Sequence, residues 1–307
     1  MNIRLFKEAR ERIAPYIIET PLIQSLEFPG LYLKCENFQW TCSYKPRGAV
    51  NAALQKIQPG VGIVARSSGN FAQGIAYAGN RLGFPVAVVM PEHAPALKVK
   101  KTEALGAEVF LHGTTHAEGD EKVAELVCEK ERIMIHAFDD PDVIAGQGSV
   151  ALEVCDQLKK PHFFFGPIGG GGIMAGCSCV IKQISQHTKV IGVEPEGAAR
   201  LTASLEKGER LHLPSTKTIA DGLLSPSVGK HNWPLLKKYI DSTVKVSEQE
   251  IIEAMKILFN VFGLVAEPSG AVSFAGFLKK RPLSGSVVCV ITGGNVDRQK
   301  FLEWLHG

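Results

Sequence analysis

The stretch Phe163-Phe164-Phe165-Gly166-Pro167-Ile168-Gly169-Gly170-Gly171-Gly172-Ile173-Met174-Ala175-Gly176 decides how the chain is read. Three consecutive phenylalanines, apolar at every position rather than alternately, describe a strand buried on both faces. Four glycines follow, and then a helical run over 173–184. A strand, a glycine loop and a helix N-terminus together form an anion cradle, because backbone N–H groups can come close to a phosphate and the helix dipole favours its charge. The pattern is neither GxGxxG in its dinucleotide context nor GxxxxGK[ST], so it implies phosphate but not a nucleotide. For a glycine loop standing alone, a tight turn without a ligand is the competing reading.

Working outward, the same kind of apolar run recurs at 61–65, Val86–Met90, 109–111, 133–137, 190–193 and Val287–Ile291. Each predicts a strand covered on both faces, as in parallel sheets flanked by helices. Helical patterns lie between them. The clearest opens at Ser247, where Glu250 completes a capping box and Ile251, Met255, Leu258 and Phe262 follow at spacings of four, three and four. The alternation predicts an α/β fold with crossover helices. The strand Leu31–Cys35 leads instead into a loop, 36–47. The chain is expected to divide into a small mobile domain, 60–138, and a large domain built from 1–59 and 139–307, with the site in the cleft between them.

The 307 residues carry 34 Lys plus Arg against 31 Asp plus Glu, a net charge of +3. That balance gives no field of the kind a nucleic-acid binder uses, so nucleic acid is excluded as a partner. The N-terminus lacks an apolar signal core and no stretch reaches the length of a membrane span, which predicts a cytoplasmic protein with no membrane partner. The seven cysteines are odd in number and scattered, as buried reduced thiols are. Cys177 and Cys179, two apart on a helix, point to different sides. His112 and His116 read as loop. Of 31 glycines, about a tenth of the chain against a usual ~7%, six fall at 166, 169–172 and 176.

Lys45 stands in Thr41-Cys42-Ser43-Tyr44-Lys45-Pro46-Arg47-Gly48-Ala49. By composition it is a surface lysine, although a buried lysine with a lowered pKa is the group that joins carbonyl cofactors covalently.

Several spaced segments bear on which applies. Lys34-Cys35-Glu36-Asn37 leading into 43–49, Ser67-Ser68-Gly69-Asn70, Ile144-Ala145-Gly146-Gln147-Gly148, the 169–172 glycines, Thr218-Ile219-Ala220-Asp221-Gly222, Glu267-Pro268-Ser269-Gly270 and Gly293-Gly294-Asn295-Val296-Asp297 occur in order over nearly the whole chain. Together they resemble the pyridoxal-phosphate enzymes of the serine/threonine dehydratase and serine racemase family. The resemblance implies fold type II, the tryptophan synthase beta-like arrangement: two open, mostly parallel twisted sheets flanked by helices, with pyridoxal 5'-phosphate between the domains.

It also implies roles. Lys45 would hold the cofactor covalently and take the substrate Cα proton on its own face. Gly169, Gly170, Gly171 and Gly172, with Ile173 behind them, would cradle the phosphate. Asn70 would hydrogen-bond the ring hydroxyl, Tyr44 would pack near the ring where the family usually has Phe, and Glu267 belongs to the same cofactor set. Thr292 stands where a serine usually faces the pyridine nitrogen. A neutral hydroxyl does not hold that nitrogen protonated, which suits β-elimination. Ser67, Ser68, Gly69 and Phe71 match the loop that binds the substrate carboxylate, with Ser225 reaching in from the large domain; the family commonly has His at Phe71. Ser68 matches the opposite-face acid/base of racemases, or else a plain carboxylate-binding hydroxyl. Metal-binding members have Glu and, six residues on, Asp. Here Glu194 is followed by Arg200, a guanidinium that would pair with Glu194, and no metal is expected there.

The segment 138–142 (Phe-Asp-Asp-Pro-Asp) resembles the dehydratase branch, while Ile219-Ala220-Asp221-Gly222, Val228-Gly229 and Trp233-Pro234 are similar to the racemase side. The expectation is a homodimeric or homotetrameric ammonia-lyase converting L-threonine and L-serine to 2-oxobutanoate or pyruvate and ammonia. Serine racemase is the alternative, followed by 3-hydroxyaspartate dehydratase and a non-catalytic amino-acid binder. Since the chain ends ten residues after Asp297, the regulatory domain of biosynthetic threonine dehydratases is expected to be missing.

Overall fold

The computed structural model describes residues 1–129, 132–282 and 284–306; Lys130, Glu131 and the expected domain end at Gly307 lie outside them. In chain order the elements are α1 (Ile3–Ile13), β1 (Leu22–Gln24), β2 (Leu31–Cys35), α2 (Lys45–Lys56), β3 (Ile63–Arg66), α3 (Asn70–Leu82), β4 (Val86–Met90), α4 (Ala96–Glu103) and β5 (Glu108–Leu111). Then come α5 (His116–Glu129), β6 (Ile133–Met134), α6 (Pro141–Leu158), β7 (Phe163–Pro167), α7 (Gly172–Ile184), β8 (Lys189–Pro195) and α8 (Arg200–Lys207). The last six are α9 (Asn232–Tyr239), β9 (Ser242–Val246), α10 (Glu248–Phe262), α11 (Pro268–Lys280), β10 (Val287–Ile291) and α12 (Arg298–His306).

The strands form two sheets, one in the order β1-β2-β10-β7-β8-β9 and the other β5-β4-β3-β6. Every pairing is parallel except that of β1 with β2. The phenylalanine run is β7, in the middle of the larger sheet, and its side chains leave on opposite faces as a strand requires. Phe165 joins a core with Val193, Met255 and Phe274, while Phe164 packs with Val190, Val290 and Cys177 on the other side. The smaller sheet is likewise covered twice, by α2 and α3 on one face and by Val123 and Leu126 of α5 on the other. Burial of each large apolar side chain contributes roughly 1.5–3 kcal/mol. The capping box at Ser247 forms in full, with both reciprocal bonds to Glu250.

Three local expectations change. The 109–111 run lies in β5, which among the described residues pairs only with β4 at the sheet edge, and Leu111 is half exposed, so apolar content alone did not mean burial on both faces. The run at 133–137 supplies only the two-residue strand Ile133–Met134 before the chain turns toward the site, and His116 opens α5. β1 and β9 are short and mixed in polarity, and no apolar run marks them.

Two packing devices fix α2. In the 144–148 segment the glycines serve helix crossings. A Cβ on Gly146 would sit 2.4 Å from the Arg47 carbonyl oxygen, and one on Gly176 of α7 would sit 2.5 Å from the Ile144 carbonyl oxygen. The second device is a buried ionic network. Arg47 Nε donates to Glu36 at 2.7 Å and its Nη1 to Glu153 at 2.5 Å, and the Lys34 ammonium donates to Glu153 and to the Thr20 carbonyl, both at 2.6 Å. Two cations balance two carboxylates, all withdrawn from water, and each fork is hydrogen-bonded, which is the condition under which buried charge is tolerated.

Candidate active site

Lys45 is the first residue of α2, and Pro46, with its fixed φ and missing N–H, suits a first turn that lacks acceptors. The preceding backbone is tied to the end of β10: Tyr44 N–H donates to the Thr292 carbonyl at 3.1 Å, and Gly294 N–H to the Cys42 carbonyl at 2.9 Å. From the opposite side Gly74 of α3 presses so close that a Cβ there would lie 3.0 Å from the Lys45 Cβ. The Lys45 ammonium donates to the Ala137 carbonyl at 3.2 Å and lies 5.0 Å and 5.6 Å from the ring centres of Tyr44 and Phe71. Burial lowers its pKa to about 8, with the negative charge of Glu267 working in the opposite direction.

The glycine loop joins β7 to α7, with Gly171 in the left-handed region at φ +92°. The backbone amides of residues 169–174 donate to no protein acceptor among the described residues. The other side of the loop is engaged, since the Gly170 carbonyl accepts from Gly229 N–H at 2.9 Å and from the Asn232 amide at 2.7 Å. Phe138 fills the space behind: a Cβ on Gly170 would fall 2.3 Å from its ring. Phe138 directly follows Ala137, so one short segment carries both the partner of Lys45 and the wall of the loop. His136 anchors that segment, its Nδ1 accepting from the amides of Phe138 and Asp139 at 3.3 and 2.9 Å. With Nδ1 an acceptor and burial lowering its pKa, this ring is held neutral.

A second cluster lies where β10 ends. Asn70, at the start of α3, donates to Glu267 and accepts from the Asn295 amide at 2.9 Å. Asn295 in turn takes a bond from Lys101 of α4 at 3.2 Å, and Lys98 pairs with Asp221. Glu267 is buried, and desolvation, reinforced by Asp221, raises its pKa to about 8. The Thr292 hydroxyl donates to the Ser269 carbonyl at 3.3 Å.

Ser67, Ser68 and Gly69 are half-buried at the start of α3, while Phe71 is buried with its ring beside Lys45. Ser68 has no hydrogen-bond partner among the described residues. The Ser225 hydroxyl donates to the Ser227 carbonyl at 2.7 Å. Ile173 is buried in the first turn of α7. Glu194 and Arg200 attract each other, as expected, but form no direct ion pair among the described residues. Glu194 accepts instead from the amides of Leu201 and Thr202, both at 2.8 Å, because it caps α8, and Arg200 donates to backbone carbonyls. Sequence reasoning missed His136, Asn232 and the Phe138 wall. The 138–142 segment drew notice only as a branch marker, and nothing in the sequence ties Asn232 to a loop sixty residues earlier.

The residues fit a phosphate-bearing aldehyde cofactor. Amides without protein acceptors at a helix start suit the phosphate, and an amine whose pKa is depressed by burial, adjoining the segment that walls the loop, suits the aldehyde.

Comparison with known proteins points to the same class of cofactor. The family model described as pyridoxal-phosphate dependent enzyme matches residues 13–293. The chain is 38% identical over 302 residues to the L-threonine ammonia-lyase of Geobacter sulfurreducens, covering 95% of this chain and 75% of that one. It is 35% identical over 310 residues to the serine racemase of Arabidopsis thaliana, covering 96% and 93%. Among solved structures, a T.th. threonine deaminase superposes with a TM-score of 0.93 at 39% identity, covering 97% of this chain and 99% of that one.

Proposed function

The chain belongs to the pyridoxal-phosphate dependent enzyme family, and from that premise we propose that it is an ammonia-lyase that converts L-threonine and L-serine to 2-oxobutanoate or pyruvate and ammonia. The observation that carries the reading is the Lys45 amine, lowered to about 8 by burial and set against the Ala137 carbonyl beside the glycine loop. The names of the ammonia-lyase and deaminase relatives support the reaction.

When bound, the cofactor supplies a carbonyl that joins amines and a ring that withdraws electrons from the substrate Cα. The chain's own residues do the rest. The amides of Gly169, Gly170, Gly171 and Gly172 and the helix start at Ile173 hold the phosphate. Tyr44 and Phe71 flank the lysine and keep water from it, while Asn70, oriented by Glu267 and Asn295, is aimed by bonds on both sides of its amide. Lys45, near the pKa at which an amine can both take and give a proton at neutral pH, removes the Cα proton. Ser67, Ser68 and Gly69 at the start of α3 receive the substrate carboxylate, with Ser225 opposite. Phe71 offers no donor, so that recognition falls to hydroxyls and amides. The neutral Thr292 hydroxyl leaves the ring a weaker electron sink than a carboxylate would, which favours expulsion of the β-hydroxyl.

Segment 60–138 acts as a small mobile domain against 1–59 and 139–307, and Lys98 and Lys101 close the cleft onto Asp221 and Asn295. No helix among the described residues is long and apolar enough to cross a membrane; the reading places the enzyme in the cytoplasm as a homodimer or homotetramer, the assembly that the family resemblance implies. Racemisation of serine is the second reading, favoured by the Ser68 hydroxyl, which is half-buried and has no partner among the described residues. The test is release of 2-oxo acid from L-threonine, L-serine, D-serine and 3-hydroxyaspartate. Preference for the first two supports the proposal, and turnover of none would replace it with a non-catalytic binder.

A further inference from the structure

Arg200 opens α8 and is fully buried, yet its guanidinium donates to two backbone carbonyls rather than a carboxylate: Ile168 at 2.9 Å through Nη1 and Leu223 at 2.6 Å through Nη2. Its Nε has no partner among the described residues. Glu194, the nearby acid, has both oxygens occupied by the α8 amides and by the Thr202 hydroxyl at 2.7 Å. A buried charge is costly unless hydrogen bonds compensate it, so what those bonds hold in place matters.

Both carbonyls belong to the walls of the glycine loop. Ile168 immediately precedes Gly169. A Cβ on Gly169 would meet the Gly222 carbonyl oxygen at 3.1 Å, the Leu223 side chain at 3.2 Å and the Leu223 Cα at 3.3 Å, so residues 222–223 lie directly against the loop. In a planar trans peptide the C=O and the following N–H point in opposite directions. A carbonyl of Ile168 drawn onto Arg200 therefore turns the Gly169 N–H away from Arg200, and that amide has no protein acceptor among the described residues. The planar fork of a guanidinium suits two carbonyls at once, whereas an ammonium is a point donor on a flexible stem.

We propose that Arg200 is a positioning residue for the cofactor phosphate: by holding the Ile168 and Leu223 carbonyls it fixes the direction in which the Gly169 amide is presented to the anion. The proposal rests on the reading of 169–172 as a phosphate cradle. Arg200 touches no reacting atom and acts through the loop.

The test compares two ligands that differ only in the phosphate. Wild type, Arg200→Gln and Arg200→Lys are freed of cofactor and titrated with pyridoxal 5'-phosphate and with pyridoxal, binding being followed by visible absorbance and tryptophan fluorescence. In Arg200→Gln the affinity for the phosphorylated compound falls about tenfold or more, as expected for lost charged hydrogen bonds, while that for pyridoxal changes less than about threefold. Arg200→Lys falls between, and it carries the same comparison if the glutamine variant does not fold. Equal losses for both compounds, or no loss for either, would overturn the assignment. A wild type with no preference for the phosphorylated compound overturns the cradle itself, whereas a preference kept undiminished in both variants removes only the part given to Arg200.

Discussion

The ammonium of Lys45 lies 3.2 Å from the carbonyl oxygen of Ala137, the residue that precedes the ring walling the glycine loop. The segment that meets the amine thus also walls the glycine loop proposed to hold the phosphate. The purified protein is expected to be yellow, and reduction with borohydride to fix the cofactor to the peptide containing Lys45. Lys45→Ala should be colourless. Mass spectrometry that found the label on another lysine would refute the assignment.

Gly170→Asp places a side chain where the Phe138 ring already stands 2.3 Å from the ideal Cβ, and adds a negative charge to the loop proposed to hold the phosphate. Overpacking alone costs about 1–3 kcal/mol. That cost falls on the fold with or without cofactor; the added charge and the displaced loop should in addition weaken cofactor binding, and an unchanged dissociation constant in an absorbance titration would rule out the cradle.

Ser68→Ala is expected to abolish racemisation of L-serine, followed by chiral chromatography, while much of the 2-oxo acid release survives. Parallel loss of the two activities would show that the hydroxyl does no more than bind the carboxylate.

Stability of the cofactor-free chain should depend on pH through two buried groups. Glu267, raised by burial from 4.5 to about 8, keeps in the folded state a proton that the unfolded chain has released. Its contribution is present below its ordinary value and is lost as pH rises toward 8, with a slope of at most about 1.4 kcal/mol per pH unit. Lys45, lowered to about 8, works the other way, so that stability rises from about 8 to 10.5 as the unfolded chain also loses its proton. Melting temperatures should pass through a minimum near 8, and Glu267→Gln should flatten the acid limb. A variant that kept the same slope would shift the effect to other groups.

Lys34→Met leaves Glu153 short of a buried cation and should destabilise the fold by about 3–5 kcal/mol. Lys34→Met combined with Glu153→Gln removes one charge of each sign, so its cost in a thermal melt should be smaller than the sum of the single changes. Strict additivity would mean that the 2.6 Å contact contributes no coupling.

Much of this fold could be read from the chain because burial on both faces leaves uninterrupted apolar runs. Val86–Met90 and Val287–Ile291 emerge with the same bounds. β9, Ser242–Val246, was invisible because it lies at the edge of its sheet, where half-exposed positions carry polar side chains. In the site, Lys45, Asn70 and the glycines sit in recognisable local motifs. Asn232 and Arg200 act through backbone carbonyls of remote segments, and a carbonyl leaves no mark in the sequence of the residue that binds it. The direct contact expected between Arg200 and Glu194 is absent among the described residues for the same reason, since residue spacing does not register the amides at the start of α8 that Glu194 caps.

At Gly146 and Gly176 backbone meets backbone, with no room even for a methyl group between α6 and its neighbours α2 and α7. Lys45 begins one of those neighbours and the glycine loop feeds the other. Amino-acid drift elsewhere in the core can reshape side chains, but it has no side chain to reshape at these crossings. The spacing between the Lys45 amine and the glycine loop is therefore insulated from side-chain changes in the core around it.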